Sequence, residues 1–314
     1  MLIHPTAKEV HALLDVWEKS VRVTHAFLKP GDVEFYRPFV AEFIPRLKIY
    51  VVKEGSRIVA FMGLDNCNIE MLFVRPEHRC CGYGSALVDI AVFDEDVRTV
   101  DVNEQNGQAV GFYLDKGFEV VGRDGCDSFG KPYPVLHLRL PHAETISAGR
   151  LVLRAFTSGD LKDFHRLCSD PALGSDGGWK PHESEDESRI VMRRYFLNRK
   201  DVWAVERKAD GALIGAVGFN ADTRRENTGA RSLGYWLGRE YWGNGYMAEA
   251  AKAAIAYARD TSGAEIITAT CFTGNMRSRR VLEKCGFVME GTIHAATRDA
   301  GGRLLDEYAF YIPY

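Results

Sequence analysis

Two stretches of the chain place apolar and polar positions in the same order. Ile69-Glu70-Met71-Leu72-Phe73-Val74 reads as a strand and leads through Arg75-Pro76 into Arg79-Cys80-Cys81-Gly82-Tyr83-Gly84-Ser85-Ala86. Apolar residues then recur at helical spacing at Ala86, Leu87, Ile90 and Ala91. Far downstream, Ser232-Leu233-Gly234-Tyr235-Trp236-Leu237 leads into Tyr241-Trp242-Gly243-Asn244-Gly245-Tyr246-Met247-Ala248, followed by Ala251, Ala254, Ile255 and Ala258. A second match trails each loop: Asn106 precedes Phe112-Tyr113-Leu114-Asp115-Lys116-Gly117-Phe118, and Asn275 precedes Val281-Leu282-Glu283-Lys284-Cys285-Gly286-Phe287. Gly82 and Gly243 stand 161 positions apart, whereas the asparagines and the Gly-Phe pairs each stand 169 apart. The plan is therefore repeated, with about eight more residues expected in the second helix-strand segment.

Between these blocks, Ile58 to Leu64 is strand-like, and Glu54-Gly55 and Asp210-Gly211 are hairpin-turn candidates. Val135-Leu136-His137-Leu138-Arg139-Leu140 alternates as a closing strand, and Leu151-Val152-Leu153-Arg154 opens another. A boundary is expected between Pro141 and Gly149, with domains at 1–141 and 147–314. Strands and helices mix without a strict βαβ rhythm. The expected class is α/β of the α+β mixed-sheet kind: two tandem folds, each a mixed, mostly antiparallel twisted sheet flanked by helices.

The length of 314 residues suits two domains, and 46% hydrophobic with 26% charged residues suits two packed cores. A net charge of -3 offers no basic excess for nucleic acid, so no such partner is expected. No apolar run has the length of a membrane span, and Met1-Leu2-Ile3-His4-Pro5 lacks a signal-peptide pattern, so no membrane partner and a cytoplasmic location are expected. The seven cysteines (67, 80, 81, 126, 168, 271 and 285) form no CxxC and stand near no histidine cluster, which predicts reduced thiols and no metal. Vicinal Cys80 and Cys81 read as small side chains in a tight turn. The acidic run Glu183, Glu185, Asp186 and Glu187 could attract a cationic substrate, but carboxylates in a first helical turn explain it more simply.

A strand entering a Gly-x-Gly loop that opens a helix suits a pyrophosphate. Glycines let the backbone approach closely, successive amides converge, and the helix N-terminus adds partial positive charge. One such loop is explained equally well as a helix-entry turn; two in equivalent contexts favour the ligand. Neither copy has the third glycine of a Rossmann fingerprint, and neither ends in Gly-Lys-Ser/Thr.

At these residues the chain resembles the GNAT superfamily of N-acetyltransferases. Arg79-x-x-Gly82-x-Gly84 matches that family's acetyl-CoA loop in full, while the second copy, counted from Gly243, departs at its first position, Glu240. The first half resembles the YjaB-type branch through Val23-Thr24-His25-Ala26-Phe27-Leu28, Val102-Asn103-Glu104-Gln105-Asn106 and Gly130-Lys131-Pro132-Tyr133-Pro134. The second half resembles the RimJ/RimL-type branch through Leu151-Val152-Leu153-Arg154, Glu249-Ala250 and Asp306-Glu307-Tyr308.

The resemblance implies direct acyl transfer from acetyl-CoA, used as a cosubstrate without a metal, to a primary amine on a small molecule or on a protein N-terminus or lysine. For the cofactor it implies Leu72, Phe73, Val74, Arg79, Cys80, Cys81, Gly82, Tyr83, Gly84, Ser85, Asn106 and Phe112 in the first half. In the second half it implies Leu237, Trp242, Gly243, Asn244, Gly245, Tyr246, Met247 and Asn275. It maps the proton donor to the leaving thiolate onto Tyr113, whose alternative is a tyrosine on the apolar helix face. Glu70 is the candidate base, or else a solvent-facing strand residue. His25 and Tyr133 are the candidate acceptor-binding residues, with a surface or core role as the alternative. In the second half Leu282 replaces the tyrosine, and Ser278 is implied near the sulfur unless it serves as a helix cap. No base stands out there, since Asp222 and Glu226 read as a solvated hairpin.

The intact motif favours the first half as the catalytic one. A catalytic second half, or a non-catalytic acyl-CoA sensor or scaffold, remains the alternative. The tandem copies could form a monomeric pseudo-dimer or pair again as a homodimer.

Overall fold

The computed structural model describes every residue except 262, 300 and 314, and it divides into two compact units, Met1–Pro141 and His142–Tyr314. In the first unit the chain order is β1 (Leu2–Ile3), α1 (Ala7–Thr24), α2 (Asp32–Phe43), β2 (Lys48–Glu54), β3 (Arg57–Asp65), β4 (Asn68–Val74), α3 (Tyr83–Asp94), β5 (Thr99–Asn103), α4 (Gly107–Asp115), β6 (Glu119–Asp124) and β7 (Val135–Arg139). The seven strands lie in the order β1-β2-β3-β4-β5-β7-β6, antiparallel throughout except for β4 beside β5. Helix α1 starts at a capping box in which Thr6 and Glu9 satisfy each other's backbone, and it buries Leu13, Leu14, Val16, Trp17 and Val21. Those residues pack on Ile49, Val51 and Phe61 of the sheet, while α3 and α4 cover the other face through Leu87, Val88, Ala91 and Tyr113.

The second unit runs β8 (Ile146–Ala148), β9 (Leu151–Arg154), α5 (Leu161–Cys168), α6 (Pro171–Gly177), α7 (Glu185–Tyr195), β10 (Val202–Arg207), β11 (Ala212–Ala221), β12 (Ala230–Leu237), α8 (Tyr246–Thr261), β13 (Ile266–Phe272), α9 (Met276–Lys284), β14 (Val288–Arg298) and β15 (Leu304–Tyr311). Its sheet order is β14-β15-β13-β12-β11-β10-β9-β8, again with one parallel pair, β12 beside β13. Gly55 and Gly211 both sit at positive φ in hairpin turns, as the Glu-Gly and Asp-Gly dipeptides predict. Glu185, Asp186 and Glu187 of the acidic run form the first turn of α7 behind an N-cap at Ser184, the simpler of its two readings, while Glu183 precedes the cap and pairs with Lys180.

In each unit the parallel pair is short. The β4–β5 ladder ends at Ile69 opposite Val100, and the β12–β13 ladder at Leu233 opposite Ala269. Beyond those pairs the strands part, so each sheet splits open next to its glycine loop.

The register of the repeat differs from the glycine count. The turns Pro76–His78 and Arg239–Tyr241, and the starts of α3 and α8, correspond at a spacing of 163, which pairs Gly82 with Gly245 and Cys80 with Gly243. Trp242, and not Glu240, therefore stands where Arg79 stands, and the extra length before the second asparagine is six residues rather than eight. Two glycines in one loop allow either alignment from sequence; backbone dihedrals choose. Gly82 and Gly245 have φ of 84° and 79°, and Cys80 and Gly243 have 60° and 79°.

Candidate functional site

In the first unit the split is edged by Leu72, Phe73 and Val74 of β4, all half-buried. Gly84 lies against the Phe112 ring: a Cβ there would come within 3.6 Å of Phe112 Cζ and 3.9 Å of Val74 Cγ2. The α3 N-terminus has Gly82 as its N-cap with no side-chain cap, unlike α4, where Asn106 accepts from the Ala109 amide at 3.2 Å. Arg79 bonds Gln108 Oε1 at 2.6 Å, and the Tyr83 hydroxyl donates to Glu54 at 2.6 Å. Cys81 and Ser85 complete the loop and the first turn of the helix.

Cys80 holds a left-handed conformation that costs a non-glycine residue about 1–2 kcal/mol. Its side chain is exposed. Cys80→Gly is expected to raise stability by about 0.5–1 kcal/mol, the strain relieved less the added chain entropy of glycine. Urea denaturation reads this directly, and a lower midpoint would contradict it.

Glu70 is a bulge. Met71 pairs with Gly63 and Ile69 with Leu64, which leaves Glu70 as the extra residue, directly after the last rung of the β4–β5 ladder. It is exposed and accepts from Asn68 Nδ2 at 2.7 Å. The β11–β12 ladder has no bulge, so the second unit has no residue equivalent to Glu70.

Tyr113 packs edge-on between Phe112 and Phe118 within the core, and burial pushes its phenol well above the ordinary range, keeping it protonated. Leu282, its counterpart at a spacing of 169, is likewise a core residue.

His25 caps the end of α1 and packs at a tilt on Phe27, and burial pushes its imidazole down to about 4. Because the Thr24 hydroxyl already donates to the Ser20 carbonyl, Nδ1–H donates to Thr24 Oγ1 (2.8 Å) and Nε2 is left as an acceptor. Burial favours the neutral form, so this histidine supports folding above its ordinary value of 6.5 and withdraws that support as pH falls towards 4. Its ring resonances are expected to stay constant between about pH 5.5 and 8 in an NMR titration; a midpoint near the ordinary value would contradict this. Tyr133 is buried, and its hydroxyl is committed to Asp32 rather than presented to the split.

The second unit's split holds a cavity of about 540 Å³. It is lined by Leu237 of β12, by Trp242, Gly243, Gly245, Tyr246 and Met247 of the loop and α8, and by Asn275 just before α9 and Ser278 within it. Trp242 is fixed by an indole bond to the Leu237 carbonyl (2.7 Å) and by the Arg277 guanidinium 4.2 Å from its ring centroid. The Asn244 side chain donates back to the Tyr241 and Trp242 carbonyls, which tightens the loop. Asn275 is the cap of α9, accepting from the Ser278 amide at 3.0 Å. Ser278 is therefore not the cap. Its Oγ lies 2.9 Å from the Tyr235 hydroxyl, which also reaches the Ser278 carbonyl at 3.1 Å.

Several lining residues carry no signal of this role in the sequence. Tyr235 sits on β12, where its phenol is pushed above the ordinary range by burial. Glu307, opposite Phe272 in the β13–β15 ladder, brings a carboxylate to the same cavity. Trp179 presents a buried indole N–H that has no partner among the described residues. Glu307 and Trp179 come from distant segments, so no local pattern points to them. Arg280 and Lys284, one helical turn apart on α9, also line the cavity, and neither is held in an ion pair among the described residues. Their helical spacing could have been found in the sequence. Asp222, read as solvated, is in fact buried, held by Thr268 Oγ1 (2.7 Å) and by Arg224 and Arg225, and is a structural anchor of the hairpin. Glu226 is exposed.

Two family models, each described as an acetyltransferase (GNAT) domain, match residues 45–120 and 150–288. The peptidyl-lysine N-acetyltransferase YjaB of Escherichia coli is 41% identical over 132 residues, 42% of this chain and 90% of that protein. An uncharacterized N-acetyltransferase, p20, of Bacillus licheniformis is 29% identical over 174 residues, 53% of this chain and 94% of that protein. The solution structure of apo YjaB from Escherichia coli, 38% identical, superposes over 44% of this chain and 95% of its own with a TM-score of 0.42. Among the described residues no helix is long and apolar enough to cross a membrane, and no three metal-ligating side chains gather.

Proposed function

Since the chain belongs to the GNAT family of acetyltransferases, we propose that it transfers acetyl groups from acetyl-CoA to a primary amine, and that the second unit holds the principal site. The observation that carries this is the Tyr235–Ser278 pair, hydrogen-bonded within the 540 Å³ cavity between β12 and β13. Bound acetyl-CoA would supply the thioester-activated acetyl group. Main-chain amides of the Gly243–Tyr246 loop suit the pyrophosphate, and Arg280 and Lys284 supply positive charge for phosphate groups.

Ser278 acts as the hydrogen-bond donor to the sulfur as charge builds on it, and Tyr235 orients that hydroxyl. The Ser278 carbonyl can only accept the phenol proton (3.1 Å), so the serine O–H donates to the Tyr235 oxygen and turns from it toward the sulfur when charge builds there. Glu307 takes up the ammonium and then its proton. An amine with a pKa of about 7.8 needs only ~1 kcal/mol to be neutral at pH 7, whereas lysine needs nearly ~5 kcal/mol. YjaB, whose name gives a peptidyl-lysine acceptor, resembles the first unit, and so favours the second kind of acceptor there, where the carboxylate is that of Glu70.

The first unit is a second transfer site in this reading, favoured by the position of Glu70 at the apex of its split. Glu70 is its base and Tyr113 its donor. Its cofactor edge is weaker, because Gly111 and Asp115 stand where the second unit has Arg280 and Lys284. Thiol release over a panel of peptide and small amines, in wild type, Ser278→Ala and Tyr113→Phe, assigns turnover to each unit. Full activity in Ser278→Ala would remove the second unit as the principal site.

A further inference from the structure

In the first unit the mouth of the split is bridged by two loops. At the end of β4, Ser20 Oγ of α1 donates to the Val74 carbonyl (2.7 Å), which brings the α1–α2 turn to that side. At the end of β5, the Glu104 amide donates to the Pro134 carbonyl (2.8 Å), which brings the β6–β7 loop to the other. Besides ring contacts of Phe129 and Tyr133, three polar side chains, Tyr133, Tyr36 and Lys131, join the two sides. Tyr133 donates its hydroxyl to Asp32 and accepts from the Lys29 amide at 3.0 Å. Tyr36 donates to Asp127. Lys131 Nζ lies 2.5 Å from Asp32 Oδ1, 3.7 Å from the Phe35 ring centroid and 5.0 Å from that of Tyr36.

A carboxylate on one side and aromatic faces on another form a box that recognises a CH2–NH3+ group by charge and by cation–π attraction. Three quarters of the Lys131 side chain is covered, and the Asp32 side chain is only 11% exposed, so the pair is shielded from solvent. The Lys131 hydrogen bond, followed by that of Tyr133, holds the Asp32 carboxyl below its ordinary value, which keeps the box anionic. Around the rim Phe35, Phe39 and Phe129 are 41%, 45% and 46% exposed and pack on one another. Nothing in the contacts to the ammonium is specific to Lys131 itself; they would suit any primary alkylammonium presented from outside.

We propose that Lys131 is an internal competitor at the mouth of the first unit: the box of Asp32, Phe35, Tyr36 and Tyr133 is a primary-alkylammonium site that Lys131 fills in the free protein and yields to the acceptor. As a route to acetyl transfer this rests on the first unit being a transfer site; as a binding site it does not. The competition sets the acceptor's apparent affinity. If Lys131 occupies the box about nine-tenths of the time, its removal tightens binding about ten-fold.

The test is calorimetric binding of Nα-acetyl-lysine methylamide to the full chain without acetyl-CoA, in wild type, Lys131→Met and Lys131→Met/Asp32→Asn, with thermal melting alongside. Lys131→Met keeps the apolar stem over Phe35 and removes only the ammonium. About ten-fold tighter binding in Lys131→Met, with binding lost in Lys131→Met/Asp32→Asn, is the expected result. Unchanged or weaker binding in Lys131→Met overturns the proposal and leaves a structural clasp, which a large drop in melting temperature would also indicate. Tighter binding with no thiol release in a Ser278→Ala background upholds the box and overturns the first unit as a transfer site.

Discussion

Ser278→Ala is expected to lower the turnover of the second unit by about 10²-fold while leaving its affinity for CoA within about two-fold, as loss of a single donor aimed at developing charge does. Alanine removes the hydroxyl and little volume, and Asn275 still caps α9 through the amide of residue 278, so the helix start is preserved. Tyr235→Phe is expected to cost less, about ten-fold, because the phenol acts through the serine. The double variant should then be no worse than Ser278→Ala alone, since residues that act as one unit are not additive. A loss in the double variant equal to the product of the two single losses would mean that Tyr235 touches the reacting groups independently. Thiol release at saturating acetyl-CoA measures each rate, and CoA titration checks that binding is intact.

The second large effect concerns the cofactor. Arg280→Gln with Lys284→Gln is expected to weaken CoA binding to the second unit by about 10²-fold at low salt, roughly ten-fold for each charge-assisted hydrogen bond removed. Both side chains are exposed, so the difference from wild type should shrink as ionic strength rises. Neither has an ion-pair partner among the described residues that would be left stranded, so folding should be little changed. Arg277 is a different case, because it is already engaged by Asp176 at 2.5 Å and by the Trp242 ring. In calorimetry of the wild type, the tighter CoA site should belong to the second unit. An isotherm that the double substitution leaves unchanged would mean that α9 does not touch the cofactor's phosphates.

Much of the architecture is legible directly in the chain. The repeated order of strand, glycine loop, helix, asparagine and Gly-Phe is a local pattern, and local patterns survive in sequence because backbone preference and burial act over a few residues. The unbroken apolar run Ile58–Leu64, the hairpins at Gly55 and Gly211 and the acidic first turn of α7 follow for the same reason. Asn106 and Asn275 are where the repeat places them, each opening a helix. The fuller motif in the first half favours that half as the catalytic one. In the second unit the tertiary arrangement brings the loop, the two α9 cations and a hydroxyl pair to one cavity, which is why the principal site is proposed there.

The sequence by itself determined two related α/β units, each with a glycine loop between an apolar strand and a helix, because both depend on short-range geometry such as glycine at positive φ before a helix start. Tertiary structure alone decided which side chains meet. Whether Gly82 answers to Gly243 or Gly245 depended on backbone dihedrals, and Glu70 became an unmatched residue only through a bulge in the β3–β4 register. Tyr235 reaches Ser278 across 43 positions, Glu307 enters the cavity through the β13–β15 ladder, and Lys131 finds Asp32 across 99. Such contacts are set by how strands pair and where they part, and a strand's own residues do not encode its partner's.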